Sequence, residues 1–261
     1  MGYVKTPQEA ASIAEVLSRP LFSALQRLSV QFRTDPAVLR SLLPPPLEPG
    51  DDPIATATVG HWHSNFLGDM NGGSIYLPAR HGDVVGAYVL AMFHDSEAPI
   101  QFGREVFGEP KKLARAILER NGGSVHGWVE RNGVRLIEVR AEVGEDLGPT
   151  VTDRSTFNVK ARTAVDGRGL QEDAILTRAQ FHSIVHTRMT GPGEVILRST
   201  VHDPLGDLPV LEVLSATYSS EDSHARCTAI AVIPADVFLP YHLGRLDDYS
   251  SMDTTFSGDR P

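Results

Sequence analysis

Residues 102–115 read FGREVFGEPKKLAR, and this stretch uses lysine in an unusual way. The chain has 24 lysine and arginine residues together, but only four of them are lysines. Two of the four, Lys111 and Lys112, are adjacent and follow a Gly-Glu-Pro turn. Random placement of four lysines along the chain would give about 0.05 adjacent pairs on average. The pair therefore needs a chemical explanation.

The composition describes an ordinary soluble globular chain. Its 261 residues, 41% of them hydrophobic, are enough for a large core. The net charge of −9 repels phosphate backbones, and no basic run suggests a membrane surface. We therefore expect no nucleic acid and no membrane as partners. The N-terminus lacks a signal-peptide pattern and Cys227 is the single cysteine, so we expect a cytoplasmic protein without an intrachain disulfide.

Most of the chain from Ile54 onward follows the pattern of short strands. Asn132-Gly133 is a strong hairpin signal between two of them. Regular spacing of this kind predicts a barrel or sandwich with a few helices at its edge. The predicted strands are 28–35, 54–62, 74–79, 87–93, 124–130, 134–143, 155–161, 180–189, 193–202, 210–218 and 228–233.

Helices are predicted at three places. Thr6-Pro7-Gln8-Glu9 has the residues of a capping box with proline at the first helical position, and good helix formers follow. Asp35-Pro36 begins a second, short helix that ends before Pro44. A terminal helix is predicted over 236–246, although Pro240 lies near its middle. We expect one domain over residues 1–249 and a disordered tail over 250–261.

Three other motifs do not carry chemistry. Gly103 to Lys111 superficially resembles a phosphate-binding loop, but Pro110 removes a backbone donor that phosphates would need. His61 and His63 lie on one face of a strand, yet no third metal ligand is identifiable. A serine-hydrolase G-x-S-x-G motif is not present in the sequence. We expect neither a metal nor an organic cofactor.

The lysine pair can be read as a solvated basic turn or as an amine nucleophile. A lysine at its ordinary pKa of about 10.4 is protonated at pH 7 and cannot attack a carbonyl. Burial can lower that pKa by roughly 3–5 units, and a second cation nearby can lower it too. Adjacent residues of a strand point to opposite faces, however. If Lys111 is the nucleophile, we therefore expect burial to matter more than Lys112.

At these residues the sequence resembles the acetoacetate decarboxylase family. Its enzyme is an established example of a lysine activated beside another cation. Four segments resemble the family in order, together covering about residues 28–243. They are Gly103-Arg104-Glu105 with Gly108-x-Pro110-Lys111-Lys112; Phe32-Arg33-Thr34-Asp35 with Leu43-Pro44-x-x-Leu47-Glu48; Phe157-Asn158-Val159-Lys160; and Gly191-Pro192-Gly193 with Asp207-Leu208-Pro209-Val210.

The resemblance implies a fold and a set of roles. The fold is α+β but predominantly β, a cone-like closed antiparallel sheet with a few peripheral helices, and the protein is a homo-oligomer. Lys111 would form a Schiff base with the substrate, and Lys112 would be its catalytic neighbour. Arg33 would bind the substrate carboxylate. Arg104 and Glu105, next to the nucleophile, would form either a structural ion pair or part of the substrate site.

Two positions depart from the family pattern. The decarboxylases carry a catalytic glutamate about 39 residues before the Schiff-base lysine, and here that position is Gly72. Glu109 replaces a residue that is usually aromatic. Aldolase–dehydratases of a divergent branch also lack the glutamate and use a C-terminal tyrosine, so Tyr241 is the candidate proton carrier. Tyr76 and Tyr88 are weaker candidates for contacting the substrate.

Three functions remain open from the sequence. The first is a Schiff-base lyase that joins pyruvate to an aldehyde and dehydrates the adduct, or runs the reaction backwards. The second is decarboxylation of acetoacetate or a related 3-oxo acid. The third is a family member that binds a keto acid without turnover. Because a protonated imine is an electron sink in every catalytic case, the surrounding acid and base groups decide the outcome.

Overall fold

The computed structural model describes residues 2–250. Strands dominate, in agreement with the prediction. The helices are α1 Pro7–Ser18, α2 Pro36–Leu42, α3 Glu97–Phe102 and α4 Ala235–Gly244. The strands are β1 Leu21–Arg33, β2 Glu48–Pro49, β3 Ile54–Ser64, β4 Gly68–His81, β5 Val84–His94, β6 Lys111–Leu113, β7 Arg115–Asn121, β8 Ser124–Arg131, β9 Val134–Glu142, β10 Thr150–Lys160, β11 Ala174–Gly191, β12 Gly193–Leu197 and β13 Glu212–Ile233.

Seven strands close into a barrel. Their order is β4-β3-β1-β13-β11-β10-β5, and pairing of β4 with β5 completes the ring. The predicted closed, β-rich fold is therefore confirmed. The expectation of an antiparallel sheet needs one correction, because β5 pairs in parallel with both β10 and β6. Those two contacts place the short strand β6, with the lysine pair, at the edge of the barrel.

A second sheet packs against the barrel. It has four strands in the order β12-β9-β8-β7, and its β8–β9 hairpin turns at Asn132 and Gly133, both with positive φ, as predicted. Gly127 of this sheet lies so close to Val59 that an added Cβ would be 2.8 Å from the valine Cβ. Leu28, Val30 and their neighbours fill the core between the layers. Burial of apolar area here is the main stabilising contribution.

The opposite face of β1 is polar. Because side chains alternate along a strand, Arg27, Ser29 and Gln31 point away from that core. They line a cavity with polar residues of the other barrel strands, among them Thr56 and Thr156. The barrel therefore has an apolar outer layer under the second sheet and a polar interior, which is where ligand chemistry can be placed.

Several predicted strand boundaries were wrong. The segments 210–218 and 228–233 belong to one strand, Glu212–Ile233, and the predicted strand 193–202 ends at Leu197. The run Ser219–His224 is polar enough to suggest a turn. In the structure Ser219, Glu221 and Ser223 are buried, and they continue the strand with polar groups on its inner face.

The predicted helices are present. Thr6 and Glu9 form the expected capping box at the start of α1, and Asp35 caps α2 by accepting two backbone hydrogen bonds. Helix α4 accommodates Pro240 in its interior. The predicted disordered tail lies outside the described residues from 251 onward. Within residues 2–250, no helix is long and apolar enough to cross a membrane.

Candidate active site

A helix-to-strand connection positions Lys111. Helix α3 passes into a π-helical turn, Gly103–Phe107, and Gly108 then adopts a φ of 78°. This left-handed conformation favours glycine. An added Cβ at Gly108 would also lie 2.5 Å from the backbone nitrogen of Lys160. The Gly-Glu-Pro turn is thus wedged against β10, and it fixes the residue at which β6 begins.

The Lys111 amine lies in a small interior cavity of about 80 Å³. The residue is only 6% exposed, and its Nζ is 2.8 Å from Oε2 of Glu109, which is equally buried. At about 10–15 Å³ for each water, the cavity holds roughly six non-hydrogen atoms, the size of a small oxo acid. Its other lining residues are Phe22, Leu25, Arg27, Trp62, Met70, Ser74, Tyr76, Met92, His94, Phe102, Phe107, Arg154, Thr156, Phe181 and Ser223.

Gly103 makes room for the Lys111–Glu109 pair. An added Cβ there would be 2.4 Å from Cδ of Lys111 and 2.5 Å from Oε2 of Glu109. Arg104 holds the same segment from outside by donating a hydrogen bond to the Lys111 carbonyl oxygen, at 3.1 Å. Two residues of the Gly-Arg-Glu motif, Gly103 and Arg104, therefore act on the position of Lys111, and neither lines its cavity.

Two neutral groups complete the polar wall. Burial, with the positive charge of Lys111 as a second cause, lowers the pKa of His94 well below its usual 6.5, so the imidazole is neutral at pH 7. The His94 Nδ1 is buried without a hydrogen-bond partner. Burial also raises the pKa of Tyr76 above 10. Its hydroxyl remains protonated near neutral pH and can donate a hydrogen bond.

Arg27 and Arg154 supply positive charge to the same cavity. Both guanidinium groups contact Glu221, at 3.1 and 2.9 Å, and that carboxylate is 1% exposed. Burial first, and then the charge of Arg154, lower the pKa of Arg27 to about 10. The Nε of Arg154 is a buried donor without a partner. Two guanidiniums against one carboxylate leave a net positive charge, which suits a substrate carboxylate.

Gly72 lies in the middle of β4, opposite His94 of β5. A Cβ at this position would be 2.5 Å from the carbonyl oxygen of Phe93 and 2.7 Å from Nδ1 of His94. The backbone of β5 and the imidazole therefore occupy the space that a side chain at position 72 would need. No carboxylate can be supplied from here without movement of β5.

Lys112 faces a different part of the molecule. Its Nζ donates hydrogen bonds to the carbonyl oxygens of His202 and Leu246, both at 2.9 Å, and to Asp203 at 2.8 Å. Arg131 binds Asp203 and Asp247 in the same cluster. The predicted catalytic role of Lys112 is therefore corrected, because its ammonium group ties β6 to the C-terminal segment.

Tyr241 and Tyr88 line a second cavity, of about 390 Å³, which also contains the Lys112 side chain. Tyr241 stacks on Phe238 of the same helix, with ring centroids 6.1 Å apart. Neither tyrosine lines the Lys111 cavity. The structure therefore does not bring these two predicted residues to the candidate nucleophile.

Two further predictions fail on position. Arg33 lies at the end of β1, where its side chain is 41% exposed and contacts the exposed Glu212 at 3.3 Å. Glu105 is exposed on the π-helical turn and does not line the Lys111 cavity. Arg104 and Glu105 do not form the predicted ion pair, and the Arg104 guanidinium instead donates to the Lys111 carbonyl oxygen. Among residues 2–250, no group of three metal-ligating side chains is found.

Sequence reasoning missed Arg27, Arg154, His94 and Glu221. The sequence did carry a signal for Arg27. It lies an even number of residues from Arg33 and so on the same face of β1, whose other face is apolar. Glu221 lies in the polar run Ser219–His224, between two predicted strands. His94 and Arg154 gave no local signal, because only the closed barrel brings their strands together.

Fold and site together define a β-barrel enzyme with a buried lysine beside a carboxylate. The family model described as acetoacetate decarboxylase matches residues 1–230. The chain belongs to the acetoacetate decarboxylase family and is a lyase. It is 31% identical over 218 residues to acetoacetate decarboxylase 1 of Mesorhizobium japonicum, covering 77% of this chain and 83% of that protein. It is 29% identical over 201 residues to the Acidiphilium cryptum acetoacetate decarboxylase, covering 74% and 80%.

Solved structures share the fold. An acetoacetate decarboxylase from Legionella pneumophila superposes with a TM-score of 0.74 at 23% identity, over 82% of this chain and 87% of that one. The enduracididine biosynthesis enzyme MppR, complexed with pyruvate, gives 0.72 at 20% identity, over 82% and 90%. An acetoacetate decarboxylase-like enzyme from Sphingomonas wittichii gives 0.69 at 21%, over 82% and 93%. At these identities the likeness establishes the fold alone.

Proposed function

We propose that this protein is a Schiff-base lyase of small 2-oxo acids, which joins pyruvate to an aldehyde and then dehydrates the adduct, or runs that reaction in reverse. One observation carries the proposal. The Lys111 amine lies in a cavity sized for a small oxo acid, 2.8 Å from a buried carboxylate, and two arginines line the same cavity. Lys111 is the proposed nucleophile, and no metal or organic cofactor is needed for the imine.

The chemistry begins at the amine. Unprotonated Lys111 adds to the ketone carbon of the acid, and loss of water from the carbinolamine leaves an iminium ion. The positive nitrogen then withdraws electrons from the neighbouring carbon atoms. A carbanion equivalent can form there, either by loss of a proton or by cleavage of a carbon–carbon bond. The imine therefore serves condensation and decarboxylation alike.

The arginine pair is the proposed carboxylate site. Arg27 and Arg154 line the cavity of Lys111, whereas Arg33 does not. Because Glu221 neutralises one of the two guanidinium charges, the other remains for an anionic substrate. A charge-assisted hydrogen bond from the free Nε of Arg154 would fix the acid with its ketone toward the amine.

The choice of condensation rests on position 72. A glycine stands there. It has no side chain to provide the carboxylate found in the decarboxylases, and the surrounding residues leave no space for one. MppR shares this fold and has been solved with pyruvate and with the condensation product of pyruvate and imidazole 4-carboxaldehyde. Those two complexes support pyruvate and an aldehyde as the substrate classes to test first.

Decarboxylation of acetoacetate is the second candidate. It is favoured by the relatives with 28–31% identity, which carry the name acetoacetate decarboxylase. The cavity admits acetoacetate as well as pyruvate on grounds of size. The homo-oligomer expected from the family also stays a prediction, and light scattering of the purified protein tests it.

Product analysis separates the two reactions. The protein is incubated with pyruvate plus an unsaturated or aromatic aldehyde, and separately with acetoacetate. We expect a conjugated 2-oxo acid that absorbs in the near ultraviolet from the first mixture and little carbon dioxide from the second. The reverse pattern would make the protein a decarboxylase, and absence of both reactions would contradict the proposal.

Variants of Lys111 provide the control for both assays. Lys111→Ala removes the amine and should abolish product. Lys111→Arg keeps the positive charge, but a guanidinium does not lose its proton and cannot form the imine, so we expect no rescue. Turnover by the arginine variant would show that the lysine acts only through its charge.

A further inference from the structure

Glu109 is the buried carboxylate that the reaction described above leaves without a role. Its Oε2 is 2.8 Å from Nζ of Lys111, and both residues are 6% exposed. The turn that carries Glu109 is fixed by backbone contacts: its N–H donates to the Gly103 carbonyl oxygen, and its own carbonyl oxygen accepts from the Lys111 N–H, both at 2.9 Å. The carboxylate is thus held against the amine by the same turn that places the lysine.

We propose that Glu109 is a catalytic acid–base residue, which moves the proton on the substrate carbon next to the Lys111 imine. The inference rests on the proposed imine chemistry and adds the group that controls its outcome. In an imine of pyruvate, the methyl carbon is two bonds from Nζ and within about 3 Å of it. A carboxylate already in contact with Nζ therefore lies within reach of a proton on that carbon.

The step balances without any additional reagent. The Glu109 carboxylate takes a proton from the methyl carbon, and the C–H electron pair forms the enamine double bond while the C=N pair returns to nitrogen. The enamine carbon then bonds to the aldehyde carbon, and the aldehyde oxygen takes the proton from Glu109. The iminium and the carboxylate are both restored.

The surroundings favour this assignment. Both partners are only 6% exposed, which limits competition from bulk water for the proton. Gly72 has no side chain and no space for one beside His94. The cavity wall also carries His94, Tyr76 and the hydroxyl groups of Ser74, Thr156 and Ser223, and Arg27 and Arg154 form the proposed carboxylate site on the same wall. Glu109 is the carboxylate in direct contact with the amine.

Hydrogen–deuterium exchange at the pyruvate methyl group tests the inference. The full chain is incubated with pyruvate in D2O, exchange is followed by proton NMR, and the rate is divided by the fraction of Lys111 that borohydride traps. We expect Glu109→Gln to retain the trapped adduct while exchange per trapped site falls by about 10²–10⁴-fold. Glu119→Gln, an exposed glutamate of β7, is the matched control and should exchange like the unaltered protein.

The outcomes are distinguishable. Exchange per site within about threefold of the unaltered protein in Glu109→Gln would overturn this inference. Loss of the adduct in that variant would also overturn it, because Glu109 would then only seat the lysine. An unaltered protein without an adduct would instead overturn the proposed function. If the glutamine variant does not fold, Glu109→Asp applies the same test, since withdrawing the carboxylate by about 1.5 Å should slow exchange at least tenfold.

Discussion

Lys111 and Lys112 are adjacent in the sequence, yet their ammonium groups belong to two different sites. Nζ of Lys111 contacts Glu109 in the small interior cavity, and Nζ of Lys112 contacts Asp203 in a cluster beside the C-terminal segment. Alternation along β6 produces this separation. The unusual lysine pair therefore combines the proposed nucleophile with a residue that anchors the strand on which it lies.

Replacing Lys112 should reduce stability more than chemistry. Lys112→Ala removes three hydrogen bonds and leaves Asp203, which is 5% exposed, with Arg131 as its remaining cation. We expect the free energy of unfolding to fall by about 2–4 kcal/mol in urea denaturation, while the folded fraction still forms the Lys111 adduct. Lys5→Ala, at an exposed position, should change stability by less than about 0.5 kcal/mol. A stable but inactive Lys112→Ala would contradict the anchoring role.

The space at Gly103 should be essential for turnover. In Gly103→Ala the new methyl group would overlap Cδ of Lys111 and Oε2 of Glu109, so the pair must move by about 1 Å. We expect kcat/KM to fall by about 100-fold, because a displacement of that size has such an effect on positioned groups. Gly144→Ala, whose nearest contact would be 3.6 Å away, is the control and should behave normally. Equal activity of the two variants would show that Lys111 tolerates displacement.

Two tyrosine variants should differ in activity. Tyr76→Phe removes a hydroxyl that lines the Lys111 cavity, and we expect turnover to fall by at least tenfold. Tyr241→Phe removes a hydroxyl from the separate, larger cavity, and we expect turnover within about threefold of the unaltered protein. Steady-state kinetics with the same substrate provide the comparison. The opposite order would return Tyr241 to the catalytic role that the sequence suggested.

Acid should weaken the fold partly through His242. Burial, followed by the charges of Arg245 and Arg104, lowers the pKa of His242 to about 4, and its Nε2 lies 2.9 Å from the Thr163 hydroxyl. Between about pH 6.5 and 4 the unfolded chain binds a proton at this position and the folded chain does not, so stability falls as the pH falls. The loss reaches up to about 3 kcal/mol from this residue, and His94 acts in the same direction.

The His242→Gln variant isolates that contribution. Glutamine retains a hydrogen-bonding group opposite Thr163 but does not titrate. The drop in unfolding free energy between pH 6.5 and 4, measured by urea denaturation, should therefore be smaller in the variant. An identical drop in both proteins would mean that the imidazole is protonated in the folded state.

The sequence predicted what depends on local pattern. Alternation along strands gave most of the barrel strands and the opposite faces of the lysine pair, and cap residues gave the ends of α1 and α2. The prediction divided the strand Glu212–Ile233 into the segments 210–218 and 228–233, and the polar run Ser219–His224 lies between them. Inside a polar barrel, alternate residues of this run, Ser219, Glu221 and Ser223, form the inward face of a strand. In such a fold, a polar run is therefore as good an indication of a strand that lines the site as of a turn.

The candidate site was predicted only around Lys111. Arg33 was selected because it lies in a recognisable motif, whereas Arg27, on the same face of β1, reaches the cavity. The sequence spacing between Lys111 and Tyr241 did not reveal which cavity the Tyr241 side chain lines. Glu109 was noticed as a departure, but its contact with Lys111 depends on the turn formed with Gly103 and Gly108.

Borohydride trapping tests the central claim most directly. The protein is mixed with pyruvate, reduced, digested and mapped by mass spectrometry, with acetoacetate as a second acid. We predict that the mass of one reduced imine appears on Lys111 and not on Lys112, and that Lys111→Ala shows no adduct. A folded protein that carries no adduct on Lys111 with either acid would contradict the account and leave only binding of a keto acid without turnover.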